Sequence, residues 1–578
     1  MNDLALKTLE PRELRLNTIS LRGFYGKKLR KGSGGGSGDG FPQLPGDVTR
    51  WHFGGLTNEM MAAMDDPRIE DADGKGRFLS FKNFAWKGMS GVGGYTENYD
   101  SNKWYKVASR IDTTWTYKSF NVKSIKDNNA AQLFYQSLSS DTGFRVLSCT
   151  IKVSGLTDGQ GIEYVSNGAQ PTVIMRIEND GIYHLPSFDF GAKNAYYGFK
   201  FSKLQESCDI TIEQLPLYPG ALVFDGVDDW AGCDNLPLLP KEKGYSIIAL
   251  RNWITRYDAT QYKRPLISNL DTNDEGAFLI EYRKDENVND VTGSYNSFTD
   301  VYIDDNNPIT WQTSSSYNGQ IIKKGTSKST NKLCICKTYF GQLSNYANAA
   351  IWEIVILDHD ATEEELTKIK DYFVKTYPWL FPDQAWTVTG KTNEDEDRAT
   401  IANITGNGND LVLSNFGFIE GSGYNKEGEY AGYLVTDGVD DKITSSIFEM
   451  GNDWTVIGDW ELINTGKKDN AGIVKFDSIV IYNYNPILIN IKNGRNNLIP
   501  DQNTVNAICS DGRIYSKDWK ESIYNEETES TSKNFLTIGY SGNSYTKIAF
   551  KNLAIYPTVL SKEDCIKAYN YLQTLKAK

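Results

Sequence analysis

The sequence predicts an all-β chain built from several β-sandwiches. Of its 578 residues, 12% are aromatic and 51 are glycine, a composition typical of strands joined by tight turns. Short segments of alternating apolar and polar residues recur between turn sequences, and residues 218–578 contain an internal duplication. At about 100–200 residues per domain, this length predicts three or four domains.

The N-terminal segment differs in charge from the rest of the chain. Residues 1–31 carry eight Lys/Arg and three Asp/Glu, a net charge of +5, whereas the whole chain carries −13. So short a segment buries too little apolar surface to fold alone, which predicts an anchoring arm that becomes ordered on a partner. A tail without a role is the alternative. The candidate anchor residues are Arg12, Arg15, Arg22, Lys27, Lys28 and Arg30.

Two regions follow the arm. Residues 32–40 are almost entirely glycine and serine, which predicts a flexible tether. Residues 41–100 are predicted to form a mixed, collar-like region with a short helix near 56–64. Over residues 101–217, short strand-like segments alternate with turn sequences, and this spacing predicts a β-sandwich.

The duplication defines the organisation of the chain after residue 217. Residues 222–230 read LVFDGVDDW and residues 434–442 read LVTDGVDDK. Each block is followed, later in the chain, by an apolar strand and then by a short helix that begins after Thr362 or Ser561. Glu365 completes a capping box with Thr362, and Asp564 holds the matching place after Ser561. We therefore predict two sandwiches, over residues 218–381 and 386–578.

These repeated blocks, together with the ITGNGNDL sequence at 404–411, resemble laminin-G/concanavalin-A-like jelly rolls. The first copy lacks that preamble, so its first strand is not identified. The order of arm, tether and lectin-like body also resembles fibre and decoration proteins of bacteriophages that infect Bacteroidota, including crAss-like phages. The resemblance implies an extended arm followed by tandem sandwiches, and a binding function as a head or tail fibre or capsid decoration subunit.

The same resemblance implies partners and a location. The arm is expected to dock on a capsid or tail protein at the virion surface, the sandwiches to bind a host cell-surface glycan, and the chain to form a dimer or trimer. The acidic body argues against nucleic-acid binding. The sequence contains no run of about 18 apolar residues, so no membrane span is predicted. Synthesis in the host cytoplasm is expected because the N-terminus lacks an apolar signal core.

Two acidic turns are the candidate metal sites. Closely spaced carboxylates suit calcium, but Asp-Gly sequences also form tight turns in which Asp side chains accept backbone amides. The sequence leaves both interpretations open, and we favour the turn interpretation. No other cofactor is predicted. The candidate ligands are Asp225, Asp228, Asp229, Asp437, Asp440 and Asp441.

The chain is predicted not to be an enzyme. Three scattered histidines and no GxSxG sequence argue against a catalytic triad. A polysaccharide-degrading spike is the main alternative, and glycosidases of similar fold often carry alternating acids, E-x-D-x-E, on one strand. No such run is present, and the acids at 394–397 are contiguous. A bacterial surface lectin is the third hypothesis. Candidate residues for stacking on sugar rings are Trp230, Trp311 and Trp519.

Overall fold

The computed structural model describes residues 40–106, 110–126, 132–136, 144–167, 171–190, 196–201, 204–239, 245–254, 263–269, 279–283, 309–313, 331–338, 340, 345–426, 430–463, 472–476, 479–482, 487–491, 495–499, 505–523, 536–541 and 544–577. Within these ranges the chain is predominantly β-strand and folds into sandwiches, which confirms the predicted fold class.

The strands and helices fall into four groups along the chain. The first group contains β1 (Val48–His52), α1 (Asn58–Ala62), β2 (Arg68–Glu70), β3 (Phe78–Lys82) and β4 (Gly91–Val92). The second contains β5 (Trp104–Lys106), β6 (Ile111–Trp115), β7 (Ser119–Ile125), β8 (Gln132–Gln136), β9 (Phe144–Val146), β10 (Cys149–Ser154), β11 (Ile162–Asn167), β12 (Pro171–Ile177), β13 (Gly181–Leu185), β14 (Phe188–Phe190), β15 (Tyr196–Phe201) and β16 (Ile210–Gln214). The third contains β17 (Leu222–Asp225), β18 (Trp230–Cys233), β19 (Ser246–Trp253), β20 (Lys263–Ser268), β21 (Leu279–Arg283), β22 (Ile309–Thr313), β23 (Leu333–Ile335), β24 (Asn348–Leu357), α2 (Glu363–Thr376) and a 3-10 turn (Pro378–Leu380).

The fourth, C-terminal group has the largest number of strands. It contains β25 (Gln384–Thr387), β26 (Thr400–Ile401), β27 (Leu411–Ser414), β28 (Gly423–Tyr424), β29 (Leu434–Val435), β30 (Lys442–Ser445), β31 (Thr455–Leu462), β32 (Gly472–Phe476), β33 (Ile479–Tyr482), β34 (Ile487–Ile491), β35 (Arg495–Ile499), β36 (Val505–Cys509), β37 (Arg513–Ser516), β38 (Glu521–Ile523), β39 (Thr537–Ile538), β40 (Tyr540–Ser541), β41 (Ser544–Tyr545), β42 (Ile548–Tyr556) and α3 (Lys562–Leu572).

The middle sandwich is made of two five-stranded sheets. Their strand orders are β13-β10-β16-β7-β6 and β12-β11-β15-β8-β5, and β14 pairs with β9 beside them. Every second side chain of these strands points between the two sheets, and the side chains packed there include Trp104, Phe120 and Phe199. Residues 116–118 form the turn of the β6–β7 hairpin, which is closed by a hydrogen bond from Thr116 N to Ser119 O of 2.9 Å.

The first lectin-like sandwich includes the segment predicted to be a collar. Strand β1 pairs with β24, β4 with β17 and β3 with β18. Arg50 on β1 forms a buried ion pair with Glu353 on β24, with 2.9 Å between Nη1 and Oε1. The predicted separate region over 41–100 is therefore wrong, because its apolar strand faces complete a core supplied by strands that follow residue 221.

The second sandwich repeats the strand order of the first and adds strands β37 and β38 to one sheet and β34 and β35 to the other. One sheet has the order β22-β19-β24-β17-β4, with β1 also on β24, and its counterpart has β36-β31-β42-β29-β28, with β25 also on β42. The facing sheets begin β2-β3-β18-β23-β20-β21 and β26-β27-β30-β39-β32-β33. Strand β1 is thus the first strand of the first copy, which the sequence left unidentified.

The middle sandwich is an insertion in this repeated framework. It lies between β4 and β17, where the second copy passes from β28 to β29 through residues 425–433. The two ends of the insertion are adjacent, since Leu217 N donates to Gly94 O at 2.9 Å and Tyr218 N to Gly93 O at 2.8 Å. The first lectin-like sandwich is therefore assembled from residues 41–95 and residues from 218 onward.

Helices α2 and α3 fill the space between the two lectin-like sandwiches. Thr362 caps α2 through the predicted capping box with Glu365, and Ser561 caps α3 by accepting from Asp564 N. Their buried faces join the outer faces of the sheets containing β24 and β42 in one apolar core. The two copies are thus packed against each other through a helical layer.

Candidate functional site

The two acidic turns have the same geometry. Asp225 Oδ1 accepts the backbone N–H groups of residues 227, 228 and 229 at 2.8, 3.3 and 3.4 Å. Asp437 Oδ1 accepts those of residues 439, 440 and 441 at 2.7, 3.3 and 3.4 Å. Gly226 and Gly438 adopt left-handed backbone, with φ of 77° and 76°. Each first aspartate therefore organises a tight turn, as the turn interpretation requires.

The last aspartate of each turn is fully buried. Asp229 Oδ2 accepts Asp225 N at 3.1 Å, and Asp441 Oδ2 accepts Asp437 N at 2.8 Å. Burial raises the pKa of Asp229 to about 7, although the hydrogen bond from Ser90 lowers it. Burial likewise raises the pKa of Asp441 to about 6, although the hydrogen bond from the Asp437 backbone lowers it. In each turn the three carboxylates offer oxygens within 4.8 Å of one another. Calcium binding at these turns stays the untested alternative to the turn interpretation.

The three tryptophans predicted to stack on sugars have different environments. Trp230 is partly buried, and its ring is covered by the Lys337 ammonium, 4.1 Å from the ring centroid. Trp519 is only 2% exposed and contacts the Tyr569 ring at a centroid distance of 5.7 Å. Trp311 lies on β22 opposite Ile248, and its side chain falls outside the described part of the chain. The six predicted anchor residues, at positions 12 to 30, also lie outside the described residues.

The histidine in the loop before α2 is tied to two carboxylates. His359 contacts Asp358 through Nδ1 at 3.1 Å and Glu365 through Nε2 at 3.0 Å. Burial alone would lower its pKa, but these two hydrogen bonds outweigh burial and raise it. His359 therefore fixes the N-terminus of α2.

A cleft opens between the middle sandwich and the second lectin-like sandwich. It has a volume of about 150 Å³. The middle sandwich supplies one wall and the strands and loops around β31 supply the other. The lining residues are Ile174, Met175, His184, Pro186, Tyr430, Tyr433, Asp459, Trp460, Glu461, Asn506, Lys517, Trp519 and Tyr569.

Two acidic side chains of one strand line this cleft. Asp459 and Glu461 are two positions apart on β31, so they project from the same face of the sheet. Asp459 accepts hydrogen bonds from the Tyr433 hydroxyl at 3.1 Å and from Gln573 Nε2 at 3.0 Å. Glu461 pairs with Lys517, with 3.0 Å between Oε2 and Nζ. Both carboxylates therefore already have donors.

Sequence reasoning missed this acidic pair because it required three alternating acids. The shorter pattern Asp459-Trp460-Glu461 places two carboxylates on one strand face just as well. The contiguous acids at 394–397 serve a different purpose: Asp395 caps a turn at Thr392, and Glu394 forms an ion pair with Lys426 at 2.9 Å. The contiguous acids therefore have structural roles, whereas the pair on β31 faces a cleft.

His184 forms part of the opposite wall. Its Nδ1 lies 3.2 Å from the Thr150 hydroxyl, and its ring meets Tyr569 edge-on at 5.9 Å. Burial, followed by the positive charge of Lys551, lowers the pKa of His184 to about 3. The imidazole is consequently neutral at physiological pH and contributes polarity to the cleft without adding charge.

Comparisons with known proteins identify no family. No known protein family and no curated protein matches the chain. Among solved structures, Trypanosoma rangeli sialidase in complex with sialic acid is similar over 91% of this chain and 98% of its own, with 8% identity and a TM-score of 0.25. The tandem CBM22 domains of Paenibacillus barcinonensis Xyn10C cover 49% of this chain and 95% of their own, with 9% identity and a TM-score of 0.14. Such low TM-scores carry no argument about activity or ligand.

No helix in the described part of the chain has both the length and the apolar character that crossing a bilayer demands.

Proposed function

We propose that this chain is a bacteriophage virion protein, a head or tail fibre or capsid decoration subunit that binds a host-surface glycan without cleaving it. The observation that carries the binding role is the cleft between the middle sandwich and the second lectin-like sandwich. Concave sites at domain junctions, with aromatic walls and a few convergent polar groups, are typical ligand sites. Asp459, Glu461 and Lys517 supply the polar groups of this cleft.

The carboxylates of the cleft favour binding over hydrolysis. A glycosidase needs one carboxyl group that delivers a proton to the leaving oxygen. Asp459 accepts hydrogen bonds from Tyr433 and Gln573, and Glu461 is paired with Lys517. Both carboxylates therefore accept from protein donors, and Glu461, the more exposed of the two, can also accept a sugar hydroxyl.

The virion position is supported by the basic arm and the tether that precede an acidic body. An arm of net charge +5 suits an acidic surface on a capsid or tail protein, and dimers or trimers would display several sites on one particle. Multiple copies raise avidity far above the affinity of a single site. In particles carrying the chain with Arg12, Arg15 and Lys27 changed to Glu, we expect the protein to be lost from the virion. Normal incorporation of this variant would refute the anchor.

A polysaccharide-degrading spike is the second candidate, favoured by the single observation that Asp459 and Glu461 share one strand face. Neighbouring same-face positions lie about 7 Å apart along a strand, within the carboxylate separations of glycosidases. Incubation with host capsular polysaccharide and a reducing-end assay decides between the two. We expect no release of reducing ends, and release that disappears in Glu461→Gln would establish the enzyme instead. A bacterial surface lectin would be favoured by recovery of the chain from uninfected cell envelopes.

A further inference from the structure

We propose that the cleft between the middle sandwich and the second lectin-like sandwich binds a single neutral hexopyranose unit of a glycan. The proposal rests on the proposed function and assigns the ligand class to that site. It is carried by the size of the cleft, by the charge balance of its polar groups and by the aromatic side chains beside them.

The size of the cleft suits one sugar ring. Its volume is about 150 Å³, and an enclosed cavity of about 150 Å³ holds one benzene ring, so the cleft has room for no more than the ring of one hexopyranose, whose hydroxyl rim would remain at the opening. A longer glycan would enter with one unit inside and the rest along the junction of the two modules. The cleft therefore selects a terminal or side-branch residue more readily than the middle of a linear chain.

The polar groups balance in charge. Glu461 lies 3.0 Å from Lys517, and Asp459 lies 3.9 Å from Lys551, so each carboxylate has a cation beside it. His184 adds no charge at physiological pH, because its burial disfavours the protonated ring. An anionic sugar would have to displace a carboxylate from its lysine. A neutral sugar leaves both pairs intact and can donate a hydroxyl to Glu461, the more exposed of the two carboxylates.

The aromatic side chains provide an apolar surface beside these acceptors. Tyr430 and Tyr433 are partly buried and meet edge to face at a centroid distance of 6.3 Å, and the Tyr433 hydroxyl is held by Asp459. A hexopyranose has an apolar face of C–H groups and a rim of hydroxyls, so it matches a site in which tyrosine rings lie next to carboxylates. Aromatic rings with a polar end are suited to such half-wet surfaces.

Both modules contribute to the site, and a backbone contact ties them together. Ile182 N of the middle sandwich donates to Asp518 O at 3.5 Å, and Gly181 lies so close to Asp518 that a Cβ at position 181 would stand 3.0 Å from that side chain. The next residue, Trp519, adopts left-handed backbone with φ of 61° and forms part of the wall. The position of the cleft is therefore set by direct contact between the modules.

The test is saturation-transfer NMR on the full chain with D-glucose, D-galactose, D-mannose, N-acetyl-D-glucosamine and N-acetylneuraminic acid. We expect transfer to at least one neutral hexose and none to N-acetylneuraminic acid. Tyr430→Ala, which removes a partly exposed ring, and Met175→Trp, which fills the cleft from the other module, should each weaken binding at least tenfold. Phe78→Ala, which removes an exposed ring from β3 of the first lectin-like sandwich, is the matched aromatic control and should leave affinity within twofold.

Several results would overturn the inference. Binding of no neutral hexose, a preference for N-acetylneuraminic acid, or full affinity in both cleft variants would each do so. Circular dichroism of each variant separates loss of the site from loss of the fold, and the two variants alter different modules. If the cleft variants lose the hexose while particles still adsorb to host cells, the site assignment stands and the proposed attachment role fails. If adsorption depends on a glycan but the cleft variants still bind it, the assignment fails alone.

Discussion

Trp352 of the first lectin-like sandwich packs edge-on against Tyr571 of the second, with ring centroids 6.2 Å apart and planes at 85°. Trp352 lies on β24 and donates from Nε1 to Pro219 O at 2.9 Å, while Tyr571 lies on α3. The contact joins the closing strand of one copy to the closing helix of the other. It makes the stability of each sandwich dependent on its neighbour.

Trp352→Ala should therefore destabilise both copies together. Truncating a fully buried tryptophan typically costs about 3–5 kcal/mol, and the cavity left by this substitution would lie in the shared core. We expect differential scanning calorimetry to show one transition for both lectin-like sandwiches in the wild type, at a lower temperature in the variant. Two transitions in the wild type, of which only one shifts in the variant, would contradict a shared core.

A second prediction concerns the asparagines that support the acidic turns. Asn83 and Asn415 adopt left-handed backbone, with φ of 68° and 69°, and donate from Nδ2 to the carbonyl oxygens of Asp228 and Asp440 at 2.9 and 3.0 Å. Left-handed backbone costs most non-glycine residues about 1–2 kcal/mol. Asn415→Ala should lower the free energy of unfolding by about that amount in urea titrations, and Asn415→Gly should lower it less. Equal losses would argue against backbone strain as the cause.

The third prediction uses the buried carboxyl group of Glu97. It accepts the Tyr197 hydroxyl at 2.6 Å and Trp104 Nε1 at 3.3 Å. Burial outweighs these donors and raises its pKa to about 7. The ordinary value is lower, so the folded state holds the proton more tightly. Folding stability is therefore full below the unfolded pKa and decreases as pH rises toward 7.

Glu97→Gln should remove that pH dependence. One pKa unit corresponds to about 1.4 kcal/mol, so ionising Glu97 costs the wild type roughly 3 kcal/mol above pH 8. The variant should be the more stable protein at pH 8, because it buries no charge. The advantage should vanish near pH 4.5, where Glu97 is uncharged in the folded wild type and the variant still lacks an acceptor for the Trp104 hydrogen bond. Unfolding curves at several pH values check this, and a wild type that stays the more stable at pH 8 would show that the carboxylate is well solvated.

The acidic turns give a fourth prediction. Because Asp225 and Asp437 are each occupied by three backbone amides, we expect the melting temperature to be the same with 5 mM calcium as with EDTA. Asp437→Ala should destabilise the second sandwich by about 1–3 kcal/mol, since the turn amides lose their acceptor. A melting temperature that rises with calcium, and no longer does so in Asp441→Asn, would establish a metal site.

The sequence predicted those features that depend on local pattern. The capping box at Thr362 and Glu365, the repeated acidic turns and the all-β class each follow from residues close together in the chain. The role of residues 41–95 was missed because their strand partners follow the inserted module, more than a hundred residues away.

A sequence signal for that missed segment exists in both copies. Asn83-Phe84-x-Trp86 followed by Ser90-Gly91 matches Asn415-Phe416-x-Phe418 followed by Ser422-Gly423. The first and last residues of each four-residue block adopt left-handed backbone. Asn58 and Asn393 also match. The side-chain Nδ2 of each donates to the backbone oxygen of one strand residue, Val92 or Tyr424, and its Oδ1 accepts the backbone N–H of the same residue. The cleft has no comparable signal, since its walls come from modules that lie far apart in the sequence.

The chain enters and leaves the middle sandwich at adjacent points, beside Gly93 and Tyr218. The middle sandwich can therefore be replaced by another domain without displacing the strands of the framework. Since closing a connection between neighbouring strand ends costs little more for a long insert than for a short one, the framework accommodates either a whole domain or the short connecting segment, residues 425–433, that the second copy has at the same point. Recombination at this junction can replace one wall of the cleft while leaving the jelly-roll scaffold intact. Exchange of the middle sandwich would thereby change the ligand specificity of the protein and leave the framework fold unchanged.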